Sequence, residues 1–297
     1  MTDEPTVVGR FAPSPSGPLH LGSLLTALAS FLDVRCRGGR WLLRIDDIDA
    51  PRSVPGSIEQ IRRALEHHGL HWDSVVSYQS ENQVYYQRAL EQLGHQRLLY
   101  RCSCTRKMVA GRPYPGTCRL KNRPLTQPGA VRLRVPQELD WIDFSDELLG
   151  LQRQQITADS GDFIVQRADG LISYQLAVVV DDATTGVNRV VRGADLLPST
   201  PRQILLHKLL NLPPPSYLHL PVVINKSGTK LSKQAHAQPL DSAHPSQNLH
   251  LLLQLLQQAP PDSLVKANPV ELLAWAIEHW QPHALPATPE LAGYIAH

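Results

Sequence analysis

Thr6-Val7-Val8-Gly9-Arg10-Phe11-Ala12-Pro13-Ser14-Pro15-Ser16-Gly17-Pro18-Leu19-His20-Leu21-Gly22-Ser23-Leu24-Leu25 is the stretch on which the fold turns. Thr6 to Phe11 is short, β-branched and apolar, and predicts a strand. Pro13 to Pro18 breaks it. Leu21, Leu24, Leu25, Leu28 and Leu32 then recur at i, i+3, i+4, i+7 and i+11, the apolar stripe of a helix. Gly38-Gly39 ends that helix, and Trp41 to Ile45 predicts a second, buried strand. Strand, loop, helix, strand is how a parallel α/β sheet begins.

The pattern continues outward. Ser57 is placed to cap a helix carrying Ile58, Ile61 and Leu65 on one face, with Gly69 past its end. Asn82 to Leu93 predicts another helix, and Cys102 to Cys118 a loop. Ala130 to Val135, Asp162 to Arg167, Val187 to Arg192 and Tyr217 to Asn225 read as strands. Leu176 to Val180 reads as buried. Thr200 to Leu210 reads as a helix with Pro201 in its first turn. Leu249 to Gln258 and Pro269 to Trp280 predict two more helices.

The chain has 297 residues, room for about two domains. Hydrophobic residues make up 42% and charged residues 19%, which excludes wholesale disorder. Lys and Arg number 29 against 27 Asp and Glu, a net of +2 that by itself points to no nucleic acid. The average hides a local excess. Gln92 to Gln137 holds no acidic residue but ten basic ones: Arg97, Arg101, Arg106, Lys107, Arg112, Arg119, Lys121, Arg123, Arg132 and Arg134. The remainder carries 19 basic against 27 acidic residues, a net of −8. Such a stretch fits a module that contacts phosphates.

Four cysteines, Cys36, Cys102, Cys104 and Cys118, are too few for a disulfide scaffold. Cys36 reads as a core residue of the first helix. No apolar run approaches the ~18 residues of a membrane span. Met1 to Arg10 carries Asp3, Glu4 and Pro5 and has no apolar core of a signal peptide. The expectation is a cytoplasmic protein with no membrane contact and no obligate protein partner.

The loop Pro13 to Ser23 joins a strand to a helix N-terminus, where free N–H groups and the helix dipole favour phosphate. His20 can donate to a phosphate oxygen, and Gly22 lets a nucleotide approach the backbone. Downstream, Lys230-Leu231-Ser232-Lys233 sets two lysines and a hydroxyl on one loop, suited to a triphosphate and a departing pyrophosphate. Neither G-x-x-x-x-G-K nor G-x-G-x-x-G occurs, so the commonest nucleotide-binding folds are disfavoured.

With these two elements in this order, the chain resembles the class I aminoacyl-tRNA synthetases. Their two signatures stand here as His20-Leu21-Gly22-Ser23 and Lys230-Leu231-Ser232-Lys233-Gln234. Gly9 to Gly17, Arg44-Ile45-Asp46-Asp47-Ile48-Asp49 and Val191-Arg192-Gly193-Ala194-Asp195-Leu196 resemble the glutamyl branch. The likeness runs from about Val7 to Gln234. It implies a Rossmann-type α/β catalytic domain over residues 1–100 and 160–234, a zinc-containing acceptor-binding insertion over 101–159, and a short helical tail over 235–297. It implies His20, Gly22, Lys230 and Lys233 as catalytic residues, with His20, Gly22, Ser23 and Lys233 on ATP and Mg²⁺ accompanying the nucleotide.

Glutamate has two carboxylates and one ammonium, so its pocket needs paired cations and an acid. The resemblance places Arg10 and Arg192 on the carboxylates, Tyr174 as a hydroxyl donor, Asp46 on the ammonium, and the segment Arg10, Phe11, Ala12, Pro13, Ser14 along the same pocket. Asp46 departs from the family, which usually has Glu there. One methylene shorter, it requires a shifted pocket or a bridging water.

Cys102, Cys104 and Cys118 supply three thiolates where a structural zinc site takes four ligands. The loop has no fourth Cys or His, and His95 is the nearest histidine. A resemblance to the glutamyl-Q subfamily implies Tyr114 as the fourth ligand. Only 64 residues follow Lys233, short for an anticodon-binding domain. That subfamily shares the short tail and attaches glutamate to queuosine in the anticodon loop of tRNA(Asp). Two other readings stay open: a truncated synthetase charging a tRNA 3′ end, and a non-enzymatic zinc-containing RNA-binding paralogue.

Overall fold

The structure is a computed structural model and describes residues 6–109, 111–121, 123–223, 240 and 243–291. β1 (Val8–Phe11), α1 (Leu21–Arg35) and β2 (Arg40–Ile45) follow the expected order. The two strands pair in parallel, Arg10 beside Leu42 and Phe11 beside Leu43. Next come α2 (Ser57–His67), β3 (Ser77–Tyr78), α3 (Gln83–His95), β4 (Leu99–Cys102) and the single turn α4 (Arg106–Val109). β5 (Ala130–Leu133), β6 (Trp141–Asp146), β7 (Gly150–Gln155), α5 (Ile156–Asp159) and β8 (Phe163–Gln166) lead to α6 (Tyr174–Thr184) and β9 (Arg189–Gly193). α7 (Thr200–Leu209), β10 (Ser216–Leu220), β11 (Val222–Val223), α8 (Pro245–Leu255), α9 (Pro269–Glu278) and β12 (Glu290–Leu291) complete the order.

Among the described residues, seven strands form the main sheet in the order β3-β2-β1-β9-β10-β6-β7. Its strands run parallel except for the β6–β7 hairpin. A three-stranded antiparallel sheet, β4-β5-β8, stands apart from it. The chain passes from β1 to β2 on one side, while β9 pairs on the other. The strand order therefore reverses beside β1, and a crevice opens at the carboxyl ends of strands at such a point.

Both faces of the main sheet are covered, as parallel sheets require. Side chains alternate between two cores. Trp41, Leu43, Leu218 and Leu220 face α1, α2, α8 and α9, whereas Leu42, Val190 and Tyr217 face α3, α6 and α7. α1 lies so close to β1 that a Cβ on Gly9 would sit 2.4 Å from Val34 Cγ2.

Several expectations need correction. Ser57 is the first residue of α2 and not its cap; Gly56 caps it, and the Ser57 hydroxyl donates to Pro15 O at 2.6 Å. Cys36 lies just past α1 and is exposed. The run Leu176 to Val180 is buried as expected, and it lies in a helix, α6. Tyr217 to Asn225 divides at Pro221 into β10 and β11, and 224–225 lie outside the described residues.

β6 and β7 fall within the segment expected to be the insertion, yet they extend the main sheet. The polar run Gly150–Gln155 carries no strand pattern because β7 is a solvent-facing edge. β4 and β8, which flank that segment, build the small sheet with β5.

The carboxyl-terminal helices are built into the core. Leu249, Leu252 and Leu253 of α8 and Leu272, Leu273 and Ala276 of α9 pack in one cluster with Leu24 and Leu28 of α1. No helix among the described residues is long and apolar enough to cross a membrane. Truncating the fully buried Leu272 to Ala should lower unfolding stability by about 2–5 kcal/mol within a single urea transition. A separate early transition would show that α8 and α9 unfold on their own.

Candidate active site

A cavity of about 360 Å³ opens at the carboxyl ends of β1, β2 and β9. Arg10, Phe11, Ala12, Pro13 and Ser14 line it from β1 and the loop behind it, and His20, Gly22 and Ser23 from the start of α1. Asp46, Tyr174 and Arg192 complete the set. Residues predicted from four separate stretches of the sequence thus converge on one space. Lys230 and Lys233, with Leu231, Ser232 and Gln234, lie outside the described residues.

His20 is the N-cap of α1, a position usually taken by Ser, Thr, Asp or Asn. Its Nδ1 accepts from Ser23 N at 3.1 Å, and its Nε2 lies 2.9 Å from Ser23 Oγ. Accepting at Nδ1 places the proton on Nε2. The ring thereby caps the helix from which Gly22 and Ser23 face the cavity.

Two of the cavity's cations, Arg10 and Arg44, stand on a buried acid absent from the sequence prediction. Asp182, in α6, accepts from Arg10 Nε at 3.1 Å and from Arg44 Nη1 at 2.5 Å. Arg44 also donates from Nε to Asp46 at 2.7 Å. Burial opposes ionisation of Asp182, but Arg10 and Arg44 together outweigh it and hold its carboxyl below the ordinary aspartate value. Burial pushes the Asp46 carboxyl above that value, against the pull of Arg44. Neighbouring Asp181 accepts from Gln79 Nε2, Asn82 Nδ2 and Tyr86 Oη at 2.6, 2.9 and 2.7 Å. The short Asp46 side chain is therefore anchored on Arg44, two residues earlier in the same segment. Among the described residues Asp182 engages Arg10 only through Nε, which leaves the terminal Nη groups for a ligand.

Arg192 is buried, and its Nη1 comes within 3.5 Å of the Tyr174 hydroxyl, which stands partly exposed at the first turn of α6. The cavity thus brings Arg10 and Arg192 together with the Asp46 carboxylate, the Tyr174 phenol and a capped helix N-terminus. That set suits a ligand with two carboxylates and an ammonium beside a phosphate.

Arg44 and Asp195 also line the cavity, though the sequence prediction gave them no role there. The signal for Arg44 was a charge inside the apolar strand Trp41 to Ile45. For Asp182 it was a pair of acids closing the apolar run of α6. Buried charges in apolar elements need partners, and those partners sit at sites.

A second cluster lies in the small sheet. The sulfurs of Cys102, Cys104 and Cys118 lie within 4.8 Å of one another. The Tyr114 hydroxyl stands among them, 3.4 Å from Cys102 Sγ and 3.8 Å from Cys104 Sγ, and accepts from Cys118 N at 2.9 Å. Burial raises a thiol, but hydrogen bonds from the Ser103 backbone and Tyr114 outweigh it and bring Cys118 down to about 6. Tyr114 also stacks under Arg132, whose guanidinium lies 3.7 Å from the ring centre. The bridge Tyr114–Gly161 is so close that a Cβ on Gly161 would meet Tyr114 O at 2.2 Å. Three thiols converging on one point are compatible with a zinc site.

The basic stretch divides in two. Arg119 donates from Nε to the fully buried Asp162 at 2.8 Å, Arg132 Nη1 donates to Asp162 O at 2.6 Å, and Arg101 donates to Leu125 O and Gly129 O. These three hold the small sheet together. Arg97, Lys107, Arg112 and Lys121 are exposed.

Comparison with known proteins gives consistent likenesses. The family described as tRNA synthetases class I (E and Q), catalytic domain, matches residues 6–112 and 120–249. Tyr114 and Cys118 fall in the gap between those two segments. A protein of Ectopseudomonas mendocina named glutamyl-Q tRNA(Asp) synthetase is 48% identical over 287 residues, 96% of this chain and 97% of its own length. One of the same name from Pseudomonas aeruginosa is 47% identical over 281 residues, 94% and 95% of the two chains. The crystal structure of glutamate-tRNA synthetase from Elizabethkingia anophelis superposes with a TM-score of 0.81 at 25% identity, covering 98% of this chain and 68% of that one. A glutamate tRNA ligase from Elizabethkingia meningosepticum, solved in complex with its amino acid, gives 0.79 at 26% identity, covering 96% and 66%.

Asp182→Asn should cost about 3–5 kcal/mol at neutral pH, because it leaves two buried guanidiniums without their shared anion. A depressed carboxyl contributes stability above its unfolded value and loses it as pH falls through the folded value. Urea titrations should therefore show the deficit in full near pH 7 and narrowing only below about 3.8, the ordinary aspartate value. A pH-independent deficit would contradict the assignment.

Proposed function

Given that this chain belongs to the class I tRNA synthetases of the E and Q type, and is a ligase of that kind, we propose that its cavity activates L-glutamate with ATP and that the glutamyl group passes to queuosine in the anticodon loop of tRNA(Asp). One observation carries the reading. Arg10, Arg192, Asp46 and Tyr174 share a single cavity with the N-terminus of α1. Arg10 and Arg192 take the carboxylates, Asp46 takes the ammonium and Tyr174 donates its hydroxyl. The backbone from Phe11 to Ser14 lines the amino-acid side, and His20, Gly22 and Ser23 face the nucleotide.

In the first step a carboxylate oxygen of glutamate attacks the α-phosphorus of ATP in line. A P–O bond forms to the carboxylate, and the bond to pyrophosphate breaks. Mg²⁺ arriving with ATP offsets phosphate charge, and Lys230 and Lys233 serve the leaving pyrophosphate. No side chain need act as nucleophile; the protein contributes positioning and electrostatics. In the second step a hydroxyl of the queuosine cyclopentene diol attacks the acyl carbon, and AMP leaves. The names of relatives matching almost end to end support this acceptor. The exposed Lys107, Arg112 and Lys121 support an RNA surface on the small sheet.

Cys102, Cys104, Cys118 and Tyr114 would hold one Zn²⁺, which ties the loop between β4 and β5 together. Elemental analysis of an unchelated preparation should find about one zinc per chain, lost in Cys118→Ser and more readily stripped by chelator from Tyr114→Phe. Zinc-free wild-type protein would remove the site.

The acceptor is tested with labelled glutamate and tRNA that contains or lacks queuosine, each also trimmed of its 3′-terminal adenosine. Label should follow queuosine and survive trimming. Label that requires the terminal adenosine would assign the enzyme to 3′-end charging instead. Absence of glutamate-dependent ATP–pyrophosphate exchange would remove the reading altogether.

A further inference from the structure

Arg192 is held from behind by three buried residues, none of which lines the cavity. Asp146 ends β6, His219 lies in β10 and Thr200 opens α7. His219 and Thr200 are fully buried and Asp146 is 2% exposed. Arg192 Nε donates to His219 Nε2 at 3.1 Å, and Nη2 donates to Thr200 Oγ1 at 2.7 Å. The Thr200 hydroxyl itself lies 3.0 Å from His219 Nε2. On the far side of the ring, His219 Nδ1 lies 2.7 Å from Asp146 Oδ2.

The donor inventory leaves one arrangement. A guanidinium can only donate, so His219 Nε2 must accept. The ring is then neutral with its proton on Nδ1, and that proton goes to Asp146. Asp146 has no spare acceptor capacity. Oδ2 also accepts from His219 N at 3.0 Å, and Oδ1 accepts from Leu148 N and Leu149 N at 3.1 and 2.9 Å. A protonated carboxyl would turn its own O–H toward one of these four donors, so Asp146 is a carboxylate. Burial, reinforced by Arg192, keeps His219 below the ordinary histidine value against the pull of Asp146, in accord with a neutral ring.

Two consequences follow for the cavity. Nε and Nη2 of Arg192 are committed to the cluster, so the guanidinium plane cannot turn. Nη1 is the arm beside the Tyr174 hydroxyl. The Tyr217 ring, stacked on His219 at 5.9 Å between centres, also lies 5.4 Å from the Arg192 guanidinium.

We propose that Asp146, His219 and Thr200 form a positioning relay that presents Arg192 Nη1 to a carboxylate of the amino-acid substrate, so that they govern affinity for glutamate and not for ATP. This rests on the placement of glutamate beside Arg192 in the proposed function. It adds residues from three elements to amino-acid recognition, none of which touches the substrate. An arginine on a mobile stem must be ordered when the ligand binds, whereas a clamped one is ordered in advance.

The test measures KM for glutamate and for ATP in pyrophosphate exchange, with unfractionated tRNA present. His219→Leu should raise KM for glutamate by about tenfold or more and leave KM for ATP within about twofold. His219→Gln, whose amide oxygen can accept from Arg192 Nε, should recover much of the loss. Asp146→Asn should act in the same direction, because its amide nitrogen meets two donors. If His219→Leu does not fold, the near-isosteric Thr200→Val should give the same split on a smaller scale.

Unchanged glutamate KM, or equal rises for both substrates, would overturn the relay. An activity-independent readout separates its failure from that of the proposed function. Nitrogen-15 spectra of labelled histidine, assigned by loss in His219→Gln, should show His219 neutral with its proton on Nδ1. A proton on Nε2 overturns the relay whatever reaction the enzyme performs. Exchange that ignores glutamate in the wild type overturns the proposed function and leaves the tautomer to decide the relay.

Discussion

Asp182 joins Arg10 of β1 and Arg44 of β2 beneath the cavity, and much of the site depends on that shared carboxylate. Two guanidiniums on neighbouring parallel strands would repel each other in a dry interior. One buried anion between them turns the repulsion into a three-point clamp spanning β1, β2 and α6. Desolvation makes such a cluster costly to build and more costly to break, because removing one member strands the others. What it secures is placement. Arg10 keeps its terminal groups toward the cavity, and Arg44 takes the short Asp46 as its own partner.

The sheet explains why the clamp sits beneath an open crevice. Strand order reverses beside β1, so the loop after β1 and the first turn of α1 are not covered by a crossing helix. His20 caps that first turn with its own ring. A capping serine would satisfy the same backbone donor but bring no imidazole to the cavity edge.

The small sheet follows another logic. It carries a small cluster of its own, Tyr100, Cys102, Tyr114 and Cys118, separate from the two main cores, while its Val131, Leu133, Phe163 and Val165 are buried in the second core of the main body. It is held by Asp162, which receives Arg119 and Tyr100, and by the convergence of three thiols on one phenol. Its basic character is therefore partly internal wiring, and a charge count along the chain cannot separate Arg119, paired with Asp162, from Lys121, which faces solvent.

The sequence by itself determined the elements whose signal is local. The strand–loop–helix–strand opening, the leucine stripe of α1 and the thiol set were legible because period and spacing report which side chains share a face. It did not reveal β6 and β7, whose polar edge residues carry no alternation, nor that α8 and α9 close the main core. It also could not name Asp182, His219, Asp146 or Thr200, each of which reads as an ordinary polar residue in its own segment. Their roles arise only when strands from different parts of the chain pack together, because an acceptor shared by two arginines, or a ring whose proton is assigned by the donor it faces, is a property of a buried arrangement and not of any one stretch of residues.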